Sequence, residues 1–581
     1  MNKNWIFRTR KDGACVPESF YDMARRACVS PKLAELLWLR GIESAEQLTE
    51  YLSPGLRYLE KPSCWPGMAE GAALLAEGLH SGKKLAIWGD YDADGVTSTA
   101  LVLEVLQHHG YDALWHLPDR RTEGYGMNAA FVEQLAEEGV SMLLTVDCGI
   151  SDAAAIARAR ELGMDVVVTD HHLPPPHLPE ASVLCNPKLS PCPCVSLAGV
   201  GVTFFLMAEL NARLAEYGTP RMDMRRTLDL VALGTLADLV ELEGQNRILV
   251  KNGLLVLAEA KRPGISELKA VSGFAPLAPL TAGQVVFSLA PRINAAGRVD
   301  SAERALDLLR AQDVDSAADS ARKLDDFNTQ RRQEEERITS EAMVQAEAAL
   351  AEPALVIAGR NWNQGVIGIV ASRLVEKYHK PAIVLCADGD ALKGSGRSIS
   401  GFDLHAGLSR CAGHLAAYGG HRMAAGVRVR PEKLEAFRAR FLEVVREDLG
   451  DKPSPPTQMV DGELDFKTAA NIIFLKELEM MQPFGVGNPE PVFQSPPLLV
   501  KKRRLFGQQK LHVLLELTDE SCGITLQAKA WRQAEEFPAA MEGRRIIIAY
   551  SPSLDKYNGI AGVDIRIRDW KLLPEGDKAA C

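Results

Sequence analysis

Short apolar runs alternate with helical stretches through the first third of the chain, and this rhythm limits the possible folds more than any other feature. KKLAIWG (83–89), ALWHLP (113–118), SMLLTVDCG (141–149) and DVVVTD (165–170) are separated by VTSTALVLEVLQHHG, NAAFVEQLAEEG and AAAIARARELG. Strands alternating with helices at this spacing predict a parallel, doubly wound sheet. The segment from Arg225 to about Glu259 reads as helical. Residues 301–352, rich in Ala, Glu, Arg and Leu and free of Pro and Gly, predict at least one long connecting helix. A second α/β rhythm follows in ALVIAG (354–359), GIVASRLVEKY and PAIVLC (381–386). Beyond a Pro/Ser-rich break at KPSPP, the last hundred or so residues read as short strands with turn signals, which suggests a small barrel or sandwich.

A chain of 581 residues is several domains long. The expected segments are an N-terminal helical segment (1–80), a catalytic α/β domain (81–300), the connecting helix (301–352), a second α/β domain (353–452) and a β domain (453–581). No apolar run approaches the length that crosses a bilayer, and the first twenty residues lack a secretory pattern, so a cytoplasmic protein with no membrane association is expected. Eleven cysteines without a C-x-x-C pair do not read as a disulfide framework. Cys185, Cys192 and Cys194 could form a metal clip, but a second ligand pair is missing and a surface loop is the better reading. The net charge of -10 excludes a histone-like binder but not local basic surfaces. Arg120 with Arg121, Arg331 with Arg332, and the run Lys501, Lys502, Arg503, Arg504 are such clusters.

The position of the acidic residues is more telling. KKLAIWG runs into Asp90-Tyr-Asp92-Ala-Asp94-Gly95, MLLTV ends at Asp147-Cys-Gly149, and DVVVT ends at Asp170-His171-His172. Parallel sheets bind ligands outside the carboxyl ends of their strands, so three strands deliver carboxylates and imidazoles to one edge. One Asp after a strand is usually a turn residue or a helix N-cap. Three such clusters at successive strand ends are hard to explain as caps, and carboxylates gathered this way repel unless cations neutralise them. Asp and His ligands suit Mn²⁺ or Mg²⁺, and the absence of thiolates argues against a closed zinc site. Two divalent cations about 3.5–4 Å apart, sharing a carboxylate, serve phosphoryl transfer. Asp238, in the apolar stretch LGTLADLVEL, is a fourth candidate, because a buried Asp needs a counter-charge.

DYDADG, VDCG, DHH and GTLADLV, in this order, resemble the four motifs of the DHH phosphoesterase superfamily. RTEGYGMN (121–128), PRINAAGR (291–298), NWNQGVIGIVASRL (361–374), GSGRSISGFDLHAGL (394–408), AYGGHRMAAG (417–426) and PFGVGNPEPVF (483–493) resemble its RecJ branch of single-stranded-DNA exonucleases. The resemblance implies a DHH domain, a DHH-associated α/β domain joined to it by a long helix, and a C-terminal OB-like β-barrel. It implies that Asp94, Asp147, His171 and Asp238 hold one metal, with Asp147 bridging, and that Asp92 helps to hold the second. Asp90 lies in the same motif, with direct ligation left open. His172 would contact the scissile phosphate, and a metal-bound water would be the nucleophile.

The resemblance also implies substrate contacts from Arg121 and Tyr125 of RTEGYGMN, and from Arg292, Asn294 and Arg298 of PRINAAGR. Ser395, Arg397 and His421 match positions that grip the 5′ phosphate end. Gly-rich segments such as GSGRS and GGHRMAAG let backbone N–H groups approach phosphate oxygens, although such loops also serve plain tight turning. Arg292, Arg298 and Arg397 could give bidentate contacts. In the β-rich tail, KKRRLFG with Phe506, His512 and Trp531 offers charge and stacking surfaces for a single strand, and reads equally as a charged edge that resists aggregation. The activity implied is 5′→3′ hydrolysis of single-stranded DNA to 5′-mononucleotides in recombination and repair. The implied enzyme is a monomer working beside single-strand-binding protein and a RecQ-type helicase. A DHH phosphoesterase acting on small substrates, such as oligoribonucleotides, cyclic dinucleotides or bisphosphate nucleotides, would need only the first two domains. A non-catalytic scaffold would lack the motif carboxylates, which are all present here.

Overall fold

The computed structural model describes residues 3–10, 12–119, 123, 126–450, 455–555 and 562–574. The chain forms two compact units, Leu59–Ser454 and a second that joins Met1–Tyr58 to Pro455–Cys581.

In the larger unit, strands β1 (Lys84–Gly89), β2 (Ala113–His116), β3 (Val140–Val146), β4 (Asp165–Thr169) and β5 (Val183–Cys185) form a sheet of order β2-β1-β3-β4-β5. Every pairing is parallel. The central strands are buried over nearly their whole length because helices cover both faces of such a sheet. The chain leaves β1 for β2 on one side and then crosses to β3 on the other. The reversal of direction therefore lies between β1 and β3. A ligand crevice opens outside the carboxyl ends of strands at such a point, and the loops beginning at Asp90 and Asp147 are the two that flank it.

Helix α1 (Ala93–His108) follows β1 directly, α2 (Gly199–Leu214) and α3 (Leu228–Ala237) pack beside it, and α4 (Ala290–Val299) carries the PRINAAGR segment. A π-helical turn, Val285–Leu289, leads into α4. Pro291 falls in the first turn of α4, where its missing N–H costs nothing. The long connecting helix is α5 (Val314–Ala348), 35 residues capped by Asp313, whose carboxylate accepts from the Ser316 N–H. It is preceded by a separate short helix, Glu303–Arg310.

Helix α5 packs on α6 (Ile367–Tyr378) and on one face of a second sheet. That sheet consists of β6 (Leu355–Gly359), β7 (Ala382–Asp388), β8 (Ala391–Arg397), β9 (Ala417–Gly420) and β10 (Ala424–Val429), in the order β9-β10-β8-β7-β6. Only β6 and β7 pair in parallel, and the remaining pairings are antiparallel. Phe402, Phe437 and Phe441 fill its other face.

In the smaller unit, β11 (Leu498–Phe506), β12 (His512–Asp519), β13 (Ile524–Ala530), β14 (Arg545–Asp555) and β15 (Gly562–Leu572) pair in a closed circuit. The pairs are β11–β12, β12–β13, β13–β15, β15–β14 and β14–β11, with only β13–β15 parallel. The circuit encloses Val500, Leu515, Ile548 and Ile565, with β11 meeting β14 only at Leu498 and Leu499. The three helices within residues 18–52 bury Phe20, Leu33, Leu37 and Leu48 in the same core. A strand at Asn4–Phe7, absent from the helical reading of the N-terminus, pairs in parallel with Thr457–Val460. No helix among the described residues is long and apolar enough to cross a membrane.

Candidate metal centre

Each motif side chain is placed by a backbone feature with its own cause. Asp92 is the N-cap of α1: one carboxylate oxygen accepts from the N–H groups of Asp94 (2.9 Å) and Gly95 (3.2 Å). Its cap role leaves the second oxygen available. Asp94, in the first turn of α1, is buried, and its two oxygens accept from Gly199 N–H (2.7 Å) and Val200 N–H (2.8 Å) at the N-terminus of α2. The helix dipole and these two donors hold the carboxylate in one orientation. Asp147 ends β3 in the left-handed region, φ 62°, a conformation that Asp tolerates better than most side chains. Strain of this kind collects at functional sites.

Gly199 faces Asp147 closely. A Cβ on Gly199 would lie 2.3 Å from Asp147 Oδ1 and 2.6 Å from its Cγ, so only glycine fits. A Cβ on Gly234 would lie 2.3 Å from Thr97 Oγ1 and 3.0 Å from Asp94 Oδ1, so glycine there lets α3 approach the start of α1. Neither glycine belongs to a reading based on strand-end acids. Gly234 stands in the quoted GTLADLV motif, but nothing in the sequence links Gly199 to a carboxylate more than fifty residues away.

The groups converge. His171 Nε2 lies 3.2 Å from Asp147 Oδ1, 3.6 Å from Asp238 Oδ2 and 4.0 Å from Asp94 Oδ2. Three ligand groups arise, each with donor atoms within 4.8 Å of one another: Asp94, His171 and Asp238; Asp90, Asp92 and Asp147; and Asp147, His171 and His172. Asp147 is common to the last two, and its Oδ1 is buried without a hydrogen-bond partner. Asp238 caps the C-terminal end of α3, one step beyond the helix that the apolar context predicts, which leaves its carboxylate partly exposed. Asp90, whose ligation the motif left open, falls inside a ligand group.

The electrostatics suit divalent cations. Burial, reinforced by neighbouring carboxylates, holds Asp94 and Asp147 well above the ordinary carboxylate range, and burial with Asp92 raises Asp238 to about 7. Burial, with the positive charge of His172, lowers His171 to about 3, so its imidazole is neutral, the form that ligates metal. An orphaned buried oxygen, mutually repelling acids and a neutral imidazole are the donor set that Mn²⁺ or Mg²⁺ satisfies.

A pH dependence follows. Carboxyls whose folded-state pKa is raised bind more protons folded than unfolded, so their contribution to metal-free stability declines as pH rises from about 4 upward. A cation displaces those protons. Manganese should therefore raise the melting temperature more at pH 8 than at pH 5.5. Below pH 7 its affinity should rise about tenfold per pH unit for each proton released. Thermal unfolding with manganese and with chelator at both pH values is the measurement, and equal shifts would contradict the assignment.

Asp170 behaves differently from the other strand-end acids. Its Oδ1 accepts from the N–H groups of His171 (2.7 Å) and His172 (2.9 Å) and lies 2.7 Å from His172 Nδ1, while Oδ2 accepts from Ile150 N–H (2.9 Å). Both oxygens are occupied, and Asp170 is in none of the ligand groups. The third strand end thus contributes imidazoles to the metal edge, and its carboxylate orients them. Burial alone would lower His172, but the hydrogen bond and charge of Asp170 outweigh it and lift His172 to about 9.

The expected substrate contacts divide. Arg121 and Tyr125, with Arg120 of the same basic cluster, lie outside the described residues. Asn294 Oδ1 accepts from Ala93 N–H at 2.8 Å, and Gly297 sits where a Cβ would approach the Tyr91 carbonyl to 2.7 Å. Arg298 donates to the Gly365 carbonyl at 2.7 Å. Helix α4 therefore ties the Asp90–Asp94 loop to the turn before α6. Arg292 is engaged by Asp325 and by the carbonyls of Ser288 and Val271, which spends its guanidinium on packing. Ser395 and Arg397 lie together on β8, where Arg397 Nη1 donates to Ser395 Oγ at 3.0 Å. A Cβ on Gly368 would come within 3.0 Å of Ser395 Oγ and 3.1 Å of Arg397 Nη2, so α6 passes close over both. His421 is exposed in the turn between β9 and β10, three residues before Ala424, which pairs with Arg397.

In the smaller unit, Phe506, His512 and Trp531 meet at ring separations of 4.8–5.3 Å, with Trp531 exposed. A bulge between Val500 and Lys502 breaks the strand alternation within the basic run. Cys185, Cys192 and Cys194 are all free thiols.

Comparison with known proteins matches the same three regions. Family models described as "DHH family, N-terminal domain", "DHHA1 domain" and "RecJ OB domain" match residues 84–235, 351–447 and 460–569. The single-stranded-DNA-specific exonuclease RecJ of Bacillus subtilis (strain 168) is 36% identical over 558 residues, 94% of this chain and 69% of that protein. The crystal structure of RecJ in complex with Mn²⁺ from Thermus thermophilus superposes with a TM-score of 0.82 at 30% identity, over 98% of this chain and 80% of that one. The Mg²⁺ complex of RecJ from the same organism gives 0.77 at 29% identity, over 98% and 79%.

Proposed function

This chain belongs to the RecJ family of DHH phosphoesterases, and on that premise we propose that it is a single-stranded-DNA-specific exonuclease working with two divalent cations, Mn²⁺ or Mg²⁺. It hydrolyses phosphodiester bonds from the 5′ end and releases 5′-mononucleotides. The observation that carries the reading is that buried Asp147 sits among ligands on both sides, with Asp90 and Asp92 on one and His171 on the other.

Asp94, Asp147, His171 and Asp238 would hold one cation, and Asp90, Asp92 and Asp147 the other. When bound, the pair supplies neutralising charge and a water acidic enough to attack phosphorus. The protein's own groups provide the rest. The N-terminus of α2 fixes Asp94, and Asp170 holds His172 protonated at Nδ1, so that the imidazolium can donate to a phosphate oxygen of the scissile bond. Ser395 and Arg397 on β8, with His421 in the β9–β10 turn, receive the 5′ phosphate end. Arg121 and Tyr125 remain candidate contacts on their motif alone. The aromatic cluster in the smaller unit offers stacking surfaces for the bases of a single strand. We place the enzyme in the cytoplasm, as a monomer acting in recombination and repair beside single-strand-binding protein and a RecQ-type helicase.

Incubation with 5′-labelled single-stranded 40-mers, duplexes of the same sequence and dinucleotides, each with Mn²⁺ or Mg²⁺, tests the reading. Labelled mononucleotide should appear first, from the single strand. Faster turnover of dinucleotides would favour the small-substrate phosphoesterase instead.

A further inference from the structure

Among the described residues, the charges of His172 and Lys188 border the carboxylate cluster, and the motifs account for the first. His172 is held by Asp170. The other is Lys188, in the Asn186-Pro187-Lys188 turn immediately after β5. Asn186 is buried, and its side chain donates to the His172 carbonyl at 3.0 Å and accepts from Lys188 N–H at 2.9 Å. This places the Lys188 ammonium on the carbonyl of His171, to which it donates. The charges of His172 and Lys188 both act on Asp238 and on His171.

The position is unusual for a lysine beside so many acids. Among the described residues Lys188 is in no ion pair, and the residue as a whole is exposed. An ammonium has three donors, and one carbonyl uses only one of them. The turn is already latched to the DHH loop through Asn186, so the latch does not need the lysine charge. A compact charge on a flexible stem, half-buried next to a metal edge, suits an anion that arrives with substrate.

We propose that Lys188 is a substrate-binding residue whose ammonium takes a non-bridging oxygen of a backbone phosphate of the DNA strand at the metal edge. The proposal rests on the reading of that edge as a site of phosphodiester hydrolysis. Lys188 fixes the strand beside His172, so that successive phosphates arrive in register with the ligand cluster.

Steady-state hydrolysis of a single-stranded 40-mer by the wild type, Lys188→Gln and Lys188→Arg, over a range of salt, provides the test. Lys188→Gln should raise KM about tenfold, with kcat changed much less, as expected for loss of one charged hydrogen bond. The slope of log KM against log salt should fall by about 0.7, the value for one phosphate contact on a single strand. Lys188→Arg should keep the wild-type slope. A neutral methylphosphonate, moved through the first three linkages, should at one position impair the wild type more than it impairs Lys188→Gln.

A wild-type KM and slope in Lys188→Gln overturns the proposal. So does a raised KM with unchanged slope and weakened manganese binding, which would make the lysine only a brace for the His171 loop. If wild-type protein leaves the 40-mer intact, the reading of the metal edge fails instead, and the two failures stay distinct.

Discussion

Asp147→Asn is expected to abolish hydrolysis, by about 10⁴-fold or more, the scale on which losing one member of a group that acts as a unit is felt. Asp147 joins Asp90 and Asp92 to His171 through one side chain, so its neutralisation weakens both proposed cation sites together. Asparagine is the informative substitution. It keeps the shape that lies against Gly199, and it tolerates the left-handed backbone at φ 62°.

The same change has the opposite sign on stability. In metal-free protein at pH 8 a buried carboxylate that accepts no hydrogen bond at Oδ1 and faces Asp90, Asp92, Asp94 and Asp238 destabilises the fold. Removing its charge should leave the melting temperature in chelator equal to or above that of the wild type. Manganese should then no longer raise it by the wild-type amount. Single-stranded DNA binding should survive, since the second sheet and the smaller unit are untouched. Near-normal turnover, or two manganese ions still bound per chain, would refute the shared-ligand arrangement.

The second large effect is expected at Asp170→Asn. This residue touches no proposed cation, yet one of its oxygens takes three donors from the His171–His172 segment, including the His172 ring. An amide cannot accept equally well at that oxygen without turning its NH₂ toward Ile150 N–H, a donor facing a donor. His172 loses the partner that holds it near 9, and burial then pulls its pKa down. The loss in kcat should be on the order of 10²–10⁴, as when the orienting acid of a catalytic histidine is neutralised. The alkaline limb of the pH–rate profile should move to lower pH, because the variant loses its His172 proton earlier. A purely structural Asp170 would lower kcat without moving that limb, so the full pH profile of variant and wild type is the deciding measurement.

Local patterns in the chain carried much of this. Apolar runs ending in acids are visible because strand cores and strand ends differ in composition, and the parallel sheet places those ends on one edge whatever the exact strand order. The long helix α5 was equally legible, since 35 residues without Gly or Pro have few alternatives. Asp92, Asp94, Asp147 and His171 stood out as acids and imidazole after strand ends, and Asp238 as an acid in an apolar stretch; the five converge.

Other features depended on residues far apart in sequence. Asp170 read as one more strand-end acid, and only the donors around it show that it orients His172. Arg292 read as a phosphate contact from its motif, and only the folded chain shows Asp325, 33 residues away, engaging its guanidinium. The strand at Asn4–Phe7 has its partner some 450 residues later, so no local pattern could announce it. Element types, the parallel sheet and the chemistry at its edge were legible in the chain because periodicity and strand-end composition are local properties. Which acids converge on the cation positions, and which, like Asp170, turn to the neighbouring histidines, emerges only in the tertiary structure. It alone also placed Gly199 against Asp147 and Lys188 against the His171 carbonyl, because hydrogen-bond saturation and close approach are properties of the packed chain.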